Sequence, residues 1–174
     1  VAEALAHGDL GLAVAVLAPS AVSTVLTQWG DADQQATYLP SFTGDQPPVA
    51  ALALQERGAL FDPRKPKARA KRTPSGYELT GVKALVPRAA DGELFVVSAD
   101  LEGRGGALFV VEASTTGVSV KPDPAMGLRG AATGLLELDA VKLPANALIG
   151  GGDPKVLQET VRLSRLAWCA LAAG

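Results

Sequence analysis

The pattern of apolar positions predicts helices at the start of the chain. Alanine and leucine dominate the first forty residues, and apolar side chains recur at helical spacing. They include Leu5, Leu10, Ala13, Val14 and Leu17. The most apolar stretch, 10–17, is shorter than the roughly 18 to 20 residues that a membrane span needs. We therefore expect a buried helix here and no membrane span.

Turn-forming residues divide this region into three predicted helices. A Pro-Ser pair at 19–20 favours a break, after which a second helix over 21–29 would end at Gly30. Asp31 is a good N-cap for a third, short helix that ends before Pro40.

From residue 47 onward, short segments with strand character replace the helices. The breaker cluster GDQPP at 44–48 marks the change. Strands are predicted at 49–55, 67–73, 77–87, 93–99, 106–112, 117–121 and 134–139. Because tight turns join these segments and no helix intervenes, the pattern favours an antiparallel barrel or sandwich over a parallel sheet.

Helical periodicity returns after the glycine run at 150–152. Asp153 is a predicted N-cap, and Pro154 takes the first helical position. The element order predicts an α+β fold in which helices flank a central β domain. The predicted divisions are a helical part over 1–46, a β domain over 47–150 and a second helical part over 151–174.

Composition excludes several classes of protein. The chain has 174 residues, of which 48% are hydrophobic and 20% are charged, and its net charge is -2. A single cysteine, Cys169, and a single histidine, His7, leave no disulfide framework, no His/Cys metal cluster and no Ser-His or Cys-His catalytic pair. The pI near 5.4 argues against nucleic-acid binding. Neither terminus has a signal-peptide layout, so we expect a cytoplasmic protein.

Five segments resemble one enzyme family when they are taken in order. They read GDADQQATYLP at 30–40, GYELTGVK at 76–83, MGLRG at 126–130 with Thr133, LELDAVKLPANALIG at 136–150, and SRL at 164–166 with AAG at 172–174. Together they resemble the acyl-CoA dehydrogenases, whose subunit has an α-helical domain, a central β domain and a C-terminal four-helix bundle. The resemblance covers nearly the whole chain.

The resemblance implies FAD-dependent α,β-dehydrogenation of acyl-CoA thioesters in fatty acid or sterol side-chain catabolism. It also implies a homo- or hetero-oligomer of acyl-CoA dehydrogenase-like chains. By the same resemblance, the chain begins partway through the N-terminal domain and ends one helix into the bundle. No residue of this sequence is therefore assigned as the catalytic base.

Two segments align with the flavin-facing segments of the family. A T-E-P-x-A-G-S-D-like segment corresponds to QERGALFD at 55–62, and a W-I-T/S-N-like segment corresponds to LVPR at 85–88. The alignment implies cofactor contacts at Leu54, Gln55, Glu56, Leu85 and Pro87. It implies substrate contacts at Phe61 and Arg129.

The same segments differ from the family where polar or aromatic groups are expected. Phe61 stands where the family has a serine that helps to hold the flavin phosphate and the substrate tail. Leu85 replaces the aromatic residue that packs on the flavin ring, and Pro87 replaces a hydroxyl residue and has no N–H. Two hypotheses follow: an acyl-CoA dehydrogenase-like enzyme, and a non-catalytic subunit of a heteromeric enzyme that binds FAD weakly or not at all.

Single charged residues also allow a structural interpretation. The basic run at 64–72 could bind CoA or FAD phosphates, but its period-2 alternation favours the solvent-facing side of an edge strand. Glu56 is expected to be a structural acid at a strand end, paired with Arg57 or Arg88. Arg129 is expected to bond nearby backbone or an acid.

The last helix carries two residues for which we expect a packing role. They are Trp168 and Cys169, which are predicted to lie in the core or at an interface.

Overall fold

The computed structural model describes residues 1–123 and 126–174, and within them it has four α-helices and eight β-strands. The helices are α1 (Ala2–Gly8), α2 (Leu10–Trp29), α3 (Ala32–Tyr38) and α4 (Pro154–Ala173). The strands are β1 (Ala50–Ala53), β2 (Arg69–Thr73), β3 (Gly76–Val86), β4 (Leu94–Leu101), β5 (Gly105–Glu112), β6 (Val118–Pro122), β7 (Gly134–Pro144) and β8 (Leu148–Ile149). This order confirms the α+β class, and β8 is a short strand that the sequence pattern missed.

All eight strands belong to one open sheet. Its order is β6-β7-β3-β2-β4-β5-β8, with β1 also paired to β4. Strands β1 and β2 each run parallel to β4, and the other pairs are antiparallel. The sheet is therefore not a closed barrel, and it is mainly antiparallel, as expected, except for the two parallel pairs of β4. The parallel pairs join strands that are distant in sequence, which local turn signals do not report.

One edge of β4 is shared by two strands. Strand β5 covers the opposite edge along the whole of β4. On the shared edge, β1 pairs with Leu94–Val97, and β2 pairs with Asp100 and Leu101. Ser98 and Ala99 therefore lie between the two parallel ladders, at a junction of β1, β2 and β4.

The sheet is apolar on both faces around β4. Phe95 and Val97 belong to one buried cluster, whereas Leu94 and Val96 belong to the other. Successive residues of a strand point to opposite faces, so an unbroken apolar run fits a strand that is covered on both sides. Helices α2 and α4 contribute residues to the second cluster and thus cover that face.

Helix α2 continues through Pro19, so the predicted break at 19–20 was wrong. A proline inside a helix removes one backbone hydrogen bond and usually kinks or ends the helix. Here packing fixes both halves, because Val14 is buried before the proline, and Val22 and Leu26 are fully buried after it. Tertiary packing therefore outweighs the local preference.

Helix α2 is, among the described residues, the one helix that is long and apolar enough to cross a membrane. Its mean hydropathy is 1.9. Core helices of folded proteins meet the same criterion, and Val22, Val25 and Leu26 of α2 pack in a cluster with residues of β1, β4 and β5.

The predicted helix starts at Asp31 and Asp153 are confirmed. Asp31 accepts a hydrogen bond from the Gln34 amide, and the Gln34 side chain accepts one from Asp31 N, which is a capping box. Asp153 accepts from Lys155 N ahead of a helix with Pro154 in its first turn. The side-chain Nε2 of the buried Gln34 also donates to the carbonyl of Asn146. This bond docks α3 on the connection between β7 and β8.

Only the second half of the basic run lies in a strand: Arg69, Lys71 and Arg72 belong to β2, which is an interior strand between β3 and β4. Lys67, Arg69 and Lys71 are exposed, whereas Ala68 and Ala70 are buried. This exposure confirms the solvent-facing interpretation. The predicted edge position was wrong, because the parallel β2–β4 pair covers that side of the strand.

Gly81 allows β3 to approach the start of β2, which predicts a large effect of a small substitution. A Cβ at Gly81 would lie 2.5 Å from the Cβ and 2.7 Å from the Cα of Ala68. We expect Gly81→Ala to lower the free energy of unfolding by about 1–3 kcal/mol in urea titrations, because the backbone must shift. Gly127→Ala, where a Cβ would have no atom of the described residues within 4 Å, is the control and should change stability by less than about 0.5 kcal/mol. Equal unfolding midpoints for the two variants would contradict this account.

Candidate functional site

A cavity of about 490 Å³ lies between the sheet and the helices α2 and α4. On the sheet side it is lined by Leu52, Leu54, Gln55, Ala84, Leu85 and Pro87. On the helix side it is lined by residues that include Val14, Leu17, Ala18, Ala21, Val161, Ser164, Arg165, Trp168 and Leu171. The lining is largely apolar, with a few polar side chains from Gln55 and α4.

Four of the five predicted cofactor contacts meet in this cavity. Leu54 and Gln55 follow β1, and Leu85 and Pro87 lie in and after the end of β3. The hydrogen bond from Ala84 N to the Gln55 carbonyl, 2.9 Å long, joins the two segments. Their role as cofactor contacts stays a prediction, but the fold brings them to one wall.

The other predicted site residues lie outside the lining. Glu56 is buried behind the wall, with 5% of its surface exposed. Phe61 is half-buried in the loop that follows, and Arg129 is exposed. The expected bond of Arg129 to backbone or an acid is not found among the described residues. Leu128, just before Arg129, is half-buried against a cluster that includes Ala6 of α1 and Val14 of α2, so this turn packs through Leu128 instead.

A bulge in β3 directs Leu85 into the cavity. The pairing of β3 with β7 shifts register between Lys83 and Val86, and Leu85 has φ of 53°. A bulge releases a residue from the ladder, and a non-glycine residue in the left-handed region costs of order 1–3 kcal/mol. Leu85 remains 49% exposed. The strand thus holds an apolar side chain in a strained conformation at the cavity wall.

Behind this wall lies a buried ion pair between Lys83 and Glu56. Their Nζ and Oε1 atoms are 2.6 Å apart, and Lys83 is wholly inaccessible to solvent. The Lys83 ammonium also donates to Ser98 Oγ at 3.0 Å. The Glu56 carboxylate accepts from the backbone N–H groups of Lys67 and Ala68. Burial lowers the pKa of Lys83 to about 8, although the bond to Glu56 opposes this shift.

The pairing of Glu56 differs from the expected one. Arg57 pairs instead with Asp123 at 3.0 Å, and Arg88 approaches Asp91 at 3.7 Å. The sequence favoured Arg57 and Arg88 as partners of Glu56. In the structure, however, the Glu56 side chain lies at the junction of β1, β2 and β4, where it meets Lys83 of β3. The alternation of side chains along β3 was a usable signal for a buried Lys83. Lys83 is four residues after Leu79, which is buried, so the two side chains lie on the same side of the strand.

Helix α4 supplies lining residues that motif comparison missed. Ser164, Arg165 and Trp168 all face the cavity. Trp168 is 47% exposed and Cys169 is exposed, so neither lies in the core of this chain, and the expected alternative, an interface, stays a prediction. The helical repeat places these residues on its solvent and cavity sides, while Val156, Leu157 and Val161 form its buried contact with the sheet.

Comparison with known proteins identifies the family. The family described as "Acyl-CoA dehydrogenase, middle domain" matches residues 51–141. The probable acyl-CoA dehydrogenase FadE10 of Mycobacterium tuberculosis is 32% identical over 97% of this chain and 27% of its own length. The chain belongs to the acyl-CoA dehydrogenase family. It spans only about a quarter of FadE10.

Solved structures agree with the family assignment. Glutaryl-CoA dehydrogenase from Mycobacterium smegmatis aligns with a TM-score of 0.88 at 25% identity, over 98% of this chain and 44% of that one. A chain of the ChsE4–ChsE5 complex from Mycobacterium tuberculosis aligns with a TM-score of 0.72 at 27% identity, over 86% and 38% of the two chains.

The cavity lining fits the apolar faces of a flavin ring, the cofactor type of this family. Leu54, Leu85 and Trp168 offer apolar surface to a planar aromatic group. The polar lining groups are the Gln55 amide, the Ser164 hydroxyl and the Arg165 guanidinium. These three residues would hold polar atoms of such a ligand, whereas Pro87 has no N–H to donate.

The buried ion pair predicts a large loss of stability when one partner is removed. We expect Lys83→Met to lower the free energy of unfolding by about 3–5 kcal/mol, because the buried Glu56 carboxylate loses the hydrogen bond that Lys83 Nζ donates, which even a neutral amine would keep, as well as its charge partner. The double variant Glu56→Gln/Lys83→Met should be more stable than Lys83→Met alone, since no unpaired buried charge remains. As the control, Lys121→Met breaks the exposed Lys121–Glu137 pair and should cost at most about 1 kcal/mol in the same urea titration. A mild Lys83→Met effect, equal to the control, would refute this assignment.

The lowered pKa of Lys83 predicts a pH dependence of stability. Between pH 8 and 10.5 the unfolded chain holds a proton on Lys83 that the folded chain has lost. The free energy of unfolding of the wild type should therefore rise with pH in this window, by up to about 1.4 kcal/mol per pH unit, relative to Glu56→Gln/Lys83→Met. Parallel pH profiles for the two proteins would show that the Lys83 pKa is not lowered on folding.

Proposed function

We propose that this chain forms one wall of the flavin and acyl-CoA site of an acyl-CoA dehydrogenase-like enzyme. The convergence of Leu54, Gln55, Leu85 and Pro87 on one apolar cavity carries the proposal, since these four positions lie in or next to the two segments that align with the flavin-facing segments of the family. The substrate class is an acyl-CoA thioester, and the reaction is α,β-dehydrogenation. The domain divisions at 46/47 and 150/151 and a cytoplasmic location belong to the same proposal.

The residues of this chain bind and orient in this proposal. Leu54 and Leu85 pack against a ring face and exclude water, and Trp168 closes the cavity from α4. Gln55 and Arg165 offer donors to carbonyl or phosphate oxygens. FAD held at this wall would supply the hydride acceptor for the α,β-dehydrogenation. No residue of this chain is proposed to take the α-proton.

A second candidate is a non-catalytic subunit of a heteromeric enzyme. The observation that favours it is the lack of two ligand contacts at the wall, because Pro87 has no N–H to donate and Leu85 has no aromatic ring to stack. Phe61 adds to this, since it has no hydroxyl to donate. The likeness to the ChsE4–ChsE5 complex supports a heteromeric assembly for such a chain. In this case a partner would complete the flavin site.

Flavin content and turnover test the first candidate. We expect the full-length protein to carry one FAD per chain by visible absorbance, and acyl-CoA to bleach that absorbance as the flavin is reduced. A colourless protein without turnover, which gains neither with added FAD, would contradict it. Turnover that appears only with a second chain would support the second candidate.

Restoring family-like residues tests the second candidate. If missing wall contacts weaken flavin binding, Leu85→Trp/Pro87→Thr should tighten FAD binding about tenfold, as expected for one ring stack and one hydrogen bond. Val82→Trp places the same ring on β3 at a half-exposed position outside the cavity lining and should leave affinity unchanged. Titration of FAD fluorescence measures all three proteins. Unchanged affinity in the double variant would remove the support for a degenerate site.

A further inference from the structure

The loop at residues 57–66, called the entrance loop below, lies beside the cavity and starts directly after Glu56. Two turns shape it: Phe61 N donates to the Gly58 carbonyl, and Lys65 N donates to the Asp62 carbonyl. Pro63, in the second turn, lines the cavity. The loop therefore forms part of the cavity rim between β1 and β2.

The Glu56 carboxylate joins the two ends of the entrance loop. Glu56 itself precedes the loop, and its oxygens accept from Lys67 N at 2.9 Å and from Ala68 N at 3.0 Å, just after the loop. Lys83 fixes the same carboxylate from β3. Ser98 bonds both Lys83 Nζ and, at 3.5 Å, the Leu54 carbonyl. Four chain segments thus meet at the buried Glu56–Lys83 pair.

The outer part of the loop is held by weaker, exposed contacts. Asp62 pairs with Arg64 within the loop at 3.0 Å, and the pKa of Asp62 is lowered mainly by that bond and, to a lesser extent, by the nearby Arg165 of α4. At the C-terminal end of the loop, Pro66 is buried against Gly106 of β5, where a Cβ would lie 3.3 Å from Pro66 Cδ. Among the described residues, Arg57 of the loop also pairs with Asp123 at 3.0 Å, but that pair is exposed, whereas the Glu56 carboxylate that joins the loop ends is buried.

We propose that Glu56, held by Lys83, is a positioning residue that closes the entrance loop against the cavity. It acts through its acceptor oxygens, which hold the loop ends together, and so sets the place of Pro63 at the rim. The proposal rests on the proposed function only in taking FAD as the cavity ligand.

Two double variants separate the acceptor from the charge. Glu56→Gln/Lys83→Met removes both buried charges and keeps a side-chain oxygen for the N–H groups of Lys67 and Ala68. Glu56→Met/Lys83→Met removes the charges and the oxygen. The first is thus the matched control for the second, with side chains of similar size.

Limited trypsin digestion under native conditions is the readout. Cleavage after Arg57 and Arg64 reports opening of the loop, and cleavage after the exposed Arg104 in the β4–β5 turn is the internal reference. We expect loop cleavage about tenfold faster in Glu56→Met/Lys83→Met, with the control close to wild type and Arg104 cleavage unchanged. Equal loop cleavage in both double variants, or acceleration at Arg104 as well, overturns the proposal.

Two further measurements keep the test decisive. Hydrogen exchange on the wild type should show the Lys67 and Ala68 amides as protected as those of β2, and rapid exchange there overturns the proposal even if a variant does not fold. FAD affinity should fall in Glu56→Met/Lys83→Met and return in the Gln control. A protein that binds no FAD would contradict the proposed function, while the digestion result would still decide the role of Glu56.

Discussion

A lysine and a glutamate that are both removed from water hold four segments of this fold together. Desolvating each charge costs several kcal/mol, so the arrangement is tolerable only when each group has all of its partners. Lys83 and Glu56 find them in each other, in Ser98 and in two backbone N–H groups. Within the described residues no buried side-chain nitrogen or oxygen is left without a partner. Because these partners come from the regions of β1, β2, β3 and β4, the four cannot shift independently.

This junction also positions the two chain segments that form the sheet side of the cavity. Residues 54 and 55 precede Glu56, and residues 84 and 85 follow Lys83, so both wall segments are direct extensions of the ion pair. The bulge that follows Lys83 then places Leu85 in the cavity in a left-handed conformation. Strain of this kind persists where surrounding structure over-determines it, and it gathers at functional sites. Here the rigid junction on one side and the β3–β7 ladder on the other supply that support.

The wall combines a family framework with unusual chemistry. The backbone of this chain, including the wall segments, matches a glutaryl-CoA dehydrogenase of the acyl-CoA dehydrogenase family over nearly its whole length. The side chains at Leu85 and Pro87, however, offer neither an aromatic ring nor a hydrogen-bond donor. The two candidate functions therefore share one geometry and differ only in how much of the ligand's polar edge this chain satisfies. Polar groups on α4 and Gln55 are the remaining donors at the cavity.

The sequence by itself determined those features that depend on interactions between residues close together in the chain. Capping residues determined the helix starts at Asp31 and Asp153. Alternation of apolar and polar residues determined most strands, and short family motifs located the segments that form the cavity wall. Tertiary structure alone decided the parallel β1–β4 and β2–β4 pairs, the continuity of α2 through Pro19, and the choice of Lys83 over Arg57 or Arg88 as the partner of Glu56. Those outcomes depend on packing and desolvation between residues that are far apart in sequence. The energies of these long-range interactions exceed the local preferences, and no single segment of the sequence reveals them.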